Sequence, residues 1–429
     1  MERRVEPARS VVGHIAVPGD KSISHRAVLL GAISEGETAV AGFGRSADTE
    51  ATLAAVRALG VEVADEDVDL VRVEGRGLRG LTAPKEPIDC GNAGTLLRLL
   101  PGILVGQDGR FELTGDDSLR RRPVDRVAEP LTRMGAAVET ADGTPPLVVA
   151  GGRRLRGIRY ELPVASAQVK SCVLLAGLYA AGRTIVSEPL PTRDHTEILL
   201  TAAGVRLRRR PHRVTVGPPE RLSLGRVEVP GDFGAAAPFI IAATLLTGSE
   251  LTIHDVGLNP TRTGLLDVLG RMGARITVFN RRRLGGEAVG DLEVRSASLV
   301  ATTIEAEEVP RLIDELPLVA LAAACVRGDT AIRGAAELRE KETDRIESVT
   351  IALKALGVRI SEREDGLGVR GVPTRPRGGG MDARGDHRLA IMGAVAGLVS
   401  REGVRLRGAE AVAVSFPGFF DLLESVTQR

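Results

Sequence analysis

The chain has little of what disulfide-bonded, metal-binding and nucleic-acid-binding proteins need. Its 429 residues include three cysteines, no tryptophan and only 2% aromatic residues. Three thiols cannot form a disulfide framework, and no Cys or His cluster has the spacing of a metal site. Few aromatic rings are present to stack on bases, and 57 basic against 56 acidic residues create no net field toward nucleic acid. We therefore expect a metal-free protein of a reducing compartment, without a nucleic-acid partner.

Long apolar runs are also missing. The first seven residues contain no apolar signal-peptide core, and the longest apolar stretches, such as 172–181, are too short to span a membrane. We expect a cytoplasmic protein without a membrane partner. Its length and its 43% hydrophobic residues suit two or three domain cores.

Lysine is rare as well. Among the 57 basic residues, lysine stands only at positions 21, 85, 170, 341 and 354. An ammonium group can give up its proton, whereas a guanidinium group stays charged. A lysine inside a motif is therefore a candidate for chemistry, although codon bias explains an isolated lysine equally well.

What the chain does have is one pattern repeated six times. Short polar motifs, spaced about seventy residues apart, open six apolar stretches, at 18–22, 91–95, 166–168, 230–233, 313–315 and 385–388. A glycine and a short alternating strand follow each stretch, near residues 36, 109, 182, 248, 328 and 403. An amphipathic helix then ends in Leu, Met or Ala before a glycine, at 59–60, 134–135, 203–204, 272–273 and 356–357. The pattern predicts six βαββαβ units, the last of which runs off the chain end before its glycine.

The first helix of each unit is apolar almost all round, so it should be buried, whereas the amphipathic second helix should lie outside. Three units packed around a pseudo-threefold axis would hold their buried helices parallel, with the polar motifs on one face. The sequence thus predicts an α/β protein of two domains, each with three βαββαβ repeats around buried parallel helices, which is an inside-out α/β barrel. Helix N-termini attract anions, so we expect six of them to face one cleft.

Eight motifs resemble those of the EPSP synthases, a family of enolpyruvyl transferases. They stand at 17–26, 91–95, 122–123, 166–171, 192–197, 313–315, 341–345 and 386–388. Each motif alone is weak, but the eight occur in the family's order over the whole chain. The resemblance implies domains of 17–227 and of 1–16 with 228–429, with the active site in the cleft between them.

The resemblance also implies the reaction. In this family the 5-hydroxyl of shikimate 3-phosphate attacks C2 of phosphoenolpyruvate, a proton adds at C3, and phosphate then leaves a tetrahedral intermediate. No cofactor is needed, and we expect a monomer whose partners are these two substrates. Each substrate carries a phosphate and a carboxylate, which charge-assisted hydrogen bonds can hold.

The family's functional residues transfer to matching positions of this sequence. The catalytic positions are Lys21, Asp314 and Glu342, with Asp314 as the base on the hydroxyl and the other two at C3 and the bridging oxygen. The shikimate 3-phosphate positions are Lys21, Ser22, Arg26, Ser166, Ala167, Gln168, Arg193, Asp314 and Lys341. The phosphoenolpyruvate positions are Lys21, Gly94, Arg122, Gln168, Arg345, His387 and Arg388. Glycine at 94 permits close approach of the backbone, and the space beside it implies sensitivity to glyphosate.

Considered alone, several of these residues have ordinary explanations. Asp314 precedes an apolar run and could be a helix cap, and Glu342 could be a favourable charge in a first helical turn. Arg122 lies in a run of charge, and Gln168 is a common polar start of a helix. The order of the motifs favours the functional interpretation.

The sequence departs from the family at three places. Many members have a second serine where Ala167 stands, so a contact there would use the backbone. Some members have a lysine near 414–415, where this chain has Val and Ser, which leaves one phosphoenolpyruvate contact without a counterpart. Glu337 stands where some members have Asn.

Two alternative functions remain open from the sequence. An enolpyruvyl transferase that acts on UDP-N-acetylglucosamine shares the fold, but it usually has a reactive cysteine on a loop that corresponds to 110–121, which here contains none. Cys90, Cys172 and Cys325 lie in or beside apolar helices and are interpreted as structural thiols. The other alternative is a non-enzymatic polyanion-binding repeat protein that uses the arginines at 206–213 and 281–283. Such runs are usually exposed ends of hairpins.

Overall fold

The computed structural model describes residues 1–429. The helices are α1 (Lys21–Ala32), α2 (Ala47–Ala58), α3 (Gly94–Leu104), α4 (Asp125–Arg133), α5 (Ala167–Gly177), α6 (His195–Ala202), α7 (Phe233–Leu245), α8 (Gly264–Met272), α9 (Leu316–Ala324), α10 (Arg345–Ala355), α11 (His387–Val399) and α12 (Phe419–Val426). Short 3-10 helices occupy Leu119–Arg121, Val309–Arg311, Ile313–Glu315, Ala336–Glu340 and Ala409–Val414. None of these helices combines the length and apolarity needed to cross a membrane.

The strands of the first half are β1 (Glu2–Val5), β2 (Ser10–Ala16), β3 (Glu35–Ala41), β4 (Glu62–Asp65), β5 (Leu70–Arg76), β6 (Ile88–Asp89), β7 (Arg110–Thr114), β8 (Ala137–Ala141), β9 (Thr144–Ala150), β10 (Arg159–Glu161), β11 (Thr184–Ser187), β12 (Arg208–Arg210) and β13 (Arg213–Val216). Those of the second half are β14 (Arg226–Glu228), β15 (Glu250–Gly257), β16 (Arg275–Leu284), β17 (Glu287–Arg295), β18 (Thr303–Ile304), β19 (Gly328–Ile332), β20 (Arg359–Arg363), β21 (Gly366–Gly371), β22 (Gly379–Asp382), β23 (Val404–Arg407) and β24 (Thr427–Gln428). A strand begins within two residues of each glycine at which the sequence predicts one, so those six predictions are confirmed.

Contacts divide the chain into two compact units. The N-terminal unit comprises Gly19–Val229 with Leu284–Glu287, and the C-terminal unit comprises Met1–Pro18, Pro230–Arg283 and Ala288–Arg429. These bounds lie within two residues of the expected crossings, but the segment 284–287, expected in the second domain, packs with the N-terminal unit. That segment forms the turn between β16 and β17. Its residues carry no sequence signal for the unit against which they pack.

Three four-stranded sheets form the shell of the N-terminal unit. Their strand orders are β14-β3-β5-β4, β6-β7-β9-β8 and β10-β11-β13-β12. In each sheet the first two strands pair in parallel and the rest form antiparallel pairs. The three sheets therefore repeat one topology.

The C-terminal unit repeats this topology with two changes at the chain ends. Its sheets have the orders β16-β17-β15-β2-β24, β18-β19-β21-β20 and β1-β23-β22. The sixth repeat has no hairpin of its own, and β1 pairs with β23 in antiparallel fashion instead. The last strand, β24, pairs with β2 and was not predicted, because two residues carry no alternating pattern.

Each unit has a core around the first helices of its repeats. In the C-terminal unit every residue of α9 is buried, as are all but one of α11. The second helices end as predicted, since Gly60, Gly135, Gly204, Gly273 and Gly357 all have positive φ. Positive φ reverses the chain directly after the helix, which only glycine does without strain. This arrangement places the polar motifs at the N-termini of the buried helices.

Candidate active site

In the N-terminal unit, the motif at 18–22 forms the start of α1. The Asp20 side chain caps this helix by accepting a hydrogen bond from the Ile23 N–H at 2.9 Å. Lys21, the first helical residue, donates from Nζ to Asp48 Oδ2 at 2.6 Å. The cap fixes the direction of the helix start, and Asp48 fixes the ammonium group of Lys21.

Arg26 lies one turn further along α1 and is buried among hydroxyl groups. Its Nε donates to Thr196 Oγ1 at 2.7 Å and its Nη2 to Ser171 Oγ at 3.1 Å. The third bond runs from Nη1 to the Ser22 carbonyl at 2.9 Å. Burial and the neighbouring charge of Arg193 lower the pKa of Arg26 to about 10. Guanidinium groups repel each other, and an anionic ligand bound to both would relieve that repulsion.

The start of α3 lies against two other guanidinium groups. This helix begins at Gly94 without a side-chain cap. A Cβ atom at position 94 would lie 2.9 Å from Arg98 Nη1 and 3.1 Å from Arg122 Nη1. Arg122 donates to Asn92 Oδ1 at 2.7 Å, and the guanidinium groups of both arginines are largely buried. A side chain at this position would require the ends of both arginine side chains to shift, which agrees with the close approach expected from the sequence, whereas the φ of Gly94 is not positive.

Gln168 links the start of α5 to that of α3. Ser166 caps α5, and Ala167 is its first residue. Gln168 Oε1 accepts from Arg98 Nη1 at 3.2 Å, and Gln168 Nε2 donates to Thr95 Oγ1 at 3.1 Å. The carboxamide is thereby oriented, so Gln168 is more than a polar helix start.

In the C-terminal unit, Arg345 at the start of α10 binds three carboxylates. Its Nε donates to Asp386 Oδ2 at 2.8 Å, its Nη1 lies 3.4 Å from Asp314 Oδ1, and its Nη2 donates to Glu342. The Arg345 side chain is only 2% exposed. Burial alone would lower the pKa of Arg345, but the charges of these carboxylates raise it above its ordinary value. The two proposed proton-transfer carboxylates thus share one guanidinium group.

The same Asp386 also caps α11, where Oδ1 accepts from the Arg388 N–H at 2.8 Å. His387 is the first residue of this helix and is buried. The guanidinium group of Arg388 lies 3.6 Å from Glu315 Oε1, and Glu315 Oε2 accepts from Arg262 Nη1 at 2.6 Å. Glu315 is completely buried, so it holds both arginines through interactions that water cannot replace.

Lys341 lies between the 3-10 helix Ala336–Glu340 and α10, and it is partly buried. Desolvation lowers its pKa from the ordinary lysine value, while the nearby carboxylate of Asp314 acts in the opposite direction. A lysine with a lowered pKa beside a carboxylate is the kind of group that proton transfer uses.

Two ordinary explanations prove wrong. Asp314 does not cap α9, because a 3-10 helix, Ile313–Glu315, precedes that helix and no side chain caps it. Glu342 lies before the cap of α10, which is Asp344, and so is not in the first turn of the helix. The explanation of both acidic residues must come from their bonds to Arg345.

Within each unit the structure brings the expected residues together. Lys21, Ser22 and Arg26 share α1, and Gly94, Arg122 and Gln168 meet around Arg98 in the same unit. Arg193 lies in the link between β11 and α6 and is partly buried.

In the C-terminal unit, Arg345 contacts Asp314, Glu342 and Asp386. Asp386 and Glu315 in turn contact Arg388. Four of the partner residues, Asp48, Arg98, Arg262 and Glu315, were assigned no role from the sequence. Their partners are distant in sequence, so no spacing signals them.

The thiols and the arginine runs behave as structural or exposed groups. Cys90 and Cys172 are buried and Cys325 is partly buried. Burial raises the pKa of Cys172 and of Cys325 to about 12, which makes both poor nucleophiles. All three residues of β12 are exposed, as expected for a hairpin end. No group of three or more His, Cys, Asp or Glu side chains is placed to hold a metal ion.

Comparison with known proteins gives consistent matches over the whole chain. The EPSP synthase (3-phosphoshikimate 1-carboxyvinyltransferase) family matches residues 5–423. A 3-phosphoshikimate 1-carboxyvinyltransferase of Alkalilimnicola ehrlichii is 50% identical over 423 residues, which cover 98% of this chain and 95% of the relative. One of Desulforudis audaxviator is 50% identical over 428 residues, which cover 99% of each chain.

Solved structures agree with these matches. An EPSP synthase of Acinetobacter baumannii is 41% identical with a TM-score of 0.88, over 99% of this chain and 98% of that one. The enolpyruvyl transferase NikO of Streptomyces tendae is 20% identical with a TM-score of 0.78, over 99% of this chain and 96% of that one, which indicates a shared fold. The predicted fold class is confirmed.

Proposed function

Because the chain belongs to the EPSP synthase family, we propose that it transfers the enolpyruvyl group of phosphoenolpyruvate to the 5-hydroxyl of shikimate 3-phosphate and releases phosphate. The observation that carries the proposal is the arrangement at the helix starts. In each unit, oriented cations surround the N-termini of buried helices, and in one unit two carboxylates accompany them. This combination suits two anionic substrates and a proton transfer.

The proposed phosphoenolpyruvate site uses the cations around α3 and α11. Its members are Lys21, Gly94, Arg122, Gln168, Arg345, His387 and Arg388. Close packing at Gly94 supports a planar substrate lying directly against the backbone, with Arg122 reaching one of its anionic groups. The same space is expected to admit glyphosate, and absence of inhibition at millimolar concentrations would contradict this.

The proposed shikimate 3-phosphate site uses the starts of α1 and α5. Its members are Lys21, Ser22, Arg26, Ser166, Ala167, Gln168, Arg193, Asp314 and Lys341. The Ser166 hydroxyl and the nearby guanidinium groups of Arg26 and Arg193 suit a phosphate group, and Ala167 offers only its backbone.

The proposed chemistry needs one base and one acid. Asp314 accepts the proton of the 5-hydroxyl group while the hydroxyl oxygen bonds to C2 of phosphoenolpyruvate, and a proton is added at C3. Loss of a proton from C3 and departure of phosphate from C2 then restore the double bond. Glu342 and Lys21 are the proposed groups at C3 and at the bridging oxygen. We also propose that the protein acts in the cytoplasm as a monomer. Light scattering on the purified protein tests whether it is a monomer.

Phosphate release tests the assignment. Wild type and Lys21→Met are incubated with phosphoenolpyruvate and either shikimate 3-phosphate or UDP-N-acetylglucosamine. Release with shikimate 3-phosphate alone, lost in the variant, is expected. Release only with the sugar nucleotide would move the chain to the other transferase activity, and release with neither would refute both.

A further inference from the structure

Lys170 in α5 is a buried lysine to which the proposed reaction assigns no role. It is one of only five lysines in the chain, and it is 1% exposed. Its Nζ lies 2.9 Å from Glu197 Oε1, 3.1 Å from Glu188 Oε2 and 3.2 Å from the Thr192 carbonyl oxygen. These three acceptors match the three donors of an ammonium group.

The contacts of Lys170 fix the segment between β11 and α6. Glu188 Oε2 accepts from the Thr192 N–H at 3.1 Å and from Thr192 Oγ1 at 2.6 Å. Lys170 binds the carbonyl of the same residue. That carbonyl belongs to the peptide group that joins Thr192 to Arg193, so Lys170 and Glu188 together set the backbone from which the Arg193 side chain leaves.

The other partner of Lys170 leads to Arg26. Glu197 is buried on α6, and its Oε2 atom has no hydrogen bond. Its negative charge acts on the guanidinium group of Arg26, whose Nε donates to the neighbouring Thr196. Without Lys170, the Glu197 carboxylate would lose its ammonium partner, while its charge would still act on Arg26 in competition with a phosphate group.

We propose that Lys170 is a positioning residue for shikimate 3-phosphate, which rests on the proposed function. It orients Arg193 through the peptide group of Thr192 and neutralises Glu197, so that Arg26 and Arg193 are both available to the phosphate of the substrate. A compact ammonium group meets three acceptors from one point, which a planar guanidinium group cannot do in the same space.

A double-mutant cycle tests the proposal. Lys170→Met, Arg193→Ala and the double variant are compared with wild type by steady-state kinetics and by calorimetric titration with shikimate 3-phosphate. In Lys170→Met we expect the KM for shikimate 3-phosphate to rise about tenfold, as for loss of one charge-assisted hydrogen bond. We expect kcat and the KM for phosphoenolpyruvate to change less than about threefold. Because Lys170 acts in part through Arg193, the rise in the double variant should be smaller than the product of the single rises.

Gln107→Leu is the matched control. Gln107 is also buried and hydrogen-bonded in the N-terminal unit, but it lies beyond the C-terminal end of α3, where it binds the Leu78 carbonyl. It should lower the melting temperature without a selective effect on shikimate 3-phosphate. If Lys170→Met does not fold, Glu188→Gln replaces it, with an expected rise of a few-fold in the same KM.

Three results would overturn the proposal. They are an unchanged KM for shikimate 3-phosphate in Lys170→Met, an equal rise in the KM of both substrates, or a KM in the double variant that rises by the full product of the single rises. Wild-type phosphate release is measured first. Its absence would refute the proposed function together with this inference, whereas normal wild-type turnover with an unselective Lys170→Met refutes the inference alone.

Discussion

Gly94→Ala gives the sharpest test of how phosphoenolpyruvate is held. The new methyl group would lie 2.9 Å from Arg98 Nη1 and 3.1 Å from Arg122 Nη1, both closer than ordinary contact. Each guanidinium group must therefore give by a few tenths of an ångström. Neither can do so freely, because Arg122 is bound to Asn92 and Arg98 to Gln168, and both arginines are only 7% exposed.

The expected magnitude follows from those bonds. Displacing the arginines weakens one or two charge-assisted hydrogen bonds to the substrate, each worth about 1.5–3 kcal/mol at most. We expect the KM for phosphoenolpyruvate to rise about 10- to 100-fold, since every 1.4 kcal/mol is about tenfold. The KM for shikimate 3-phosphate should rise less than that for phosphoenolpyruvate. Gln168, which Arg98 holds, belongs to both proposed sites, but Arg26, which is proposed for the phosphate of shikimate 3-phosphate, does not touch the new methyl group.

Initial rates at varied concentrations of each substrate measure both constants. Gly270→Ala is the control, because this helical glycine has no atom within 4 Å of an added Cβ and no positive φ. It should leave both constants unchanged. An unchanged KM for phosphoenolpyruvate in Gly94→Ala would refute the close-approach argument, and an equal rise for both substrates would show a general distortion instead.

Two further predictions concern the buried charges. Arg345→Met leaves the carboxylates of Asp386, Asp314 and Glu342 without their shared cation, so we expect the free energy of unfolding by urea to fall by about 3–5 kcal/mol. The control Arg370→Met, at an exposed arginine, should change it by less than about 1 kcal/mol. A similarly small change in both variants would contradict the reasoning. Burial, with the charges of Lys21 and Arg26, lowers the pKa of His25 well below 6.5, so the unfolded chain binds the extra proton first as pH falls. The contribution of His25 is therefore full above about pH 6.5 and is lost below it, by up to about 1.4 kcal/mol per pH unit. His25→Gln should flatten this slope between pH 7.5 and 5.5 in urea unfolding, and an unaltered slope would show that other groups cause it.

The fold was largely predictable because its signals are local. Helix starts are marked by caps such as Asp20 and Ser166, and helix ends by glycines that adopt positive φ. What could not be predicted depends on pairing over long distances. The two-residue strand β24 exists only because β2 lies beside it, and the turn at 284–287 packs with a unit distant in sequence.

The proposed cations and the carboxylates of Asp314, Glu342 and Asp386 stand in motifs visible in the sequence. Two other carboxylates that hold cations, Asp48 and Glu315, were assigned no role from the sequence. The motifs and the scarcity of lysine pointed to Lys21 and Lys341. The partners Asp48 and Glu315 stand in segments that read as an ordinary outer helix and a helix start. A carboxylate that neutralises an arginine has no spacing of its own, so its role appears only when tertiary structure brings the two together.

These carboxylates answer a physical problem that a site for two anions must solve. Cations crowded together repel one another and would turn away from the site in the absence of substrate. A buried carboxylate prevents this and fixes the direction of each donor, although its desolvation is costly. Arg345 shows this most clearly, because it binds both Asp314 and Glu342. A substrate anion that takes up donors of Arg345 would compete with these two carboxylates for the same guanidinium group. If phosphoenolpyruvate binds Arg345 as proposed, its binding and the position of both carboxylates are coupled through a single guanidinium group.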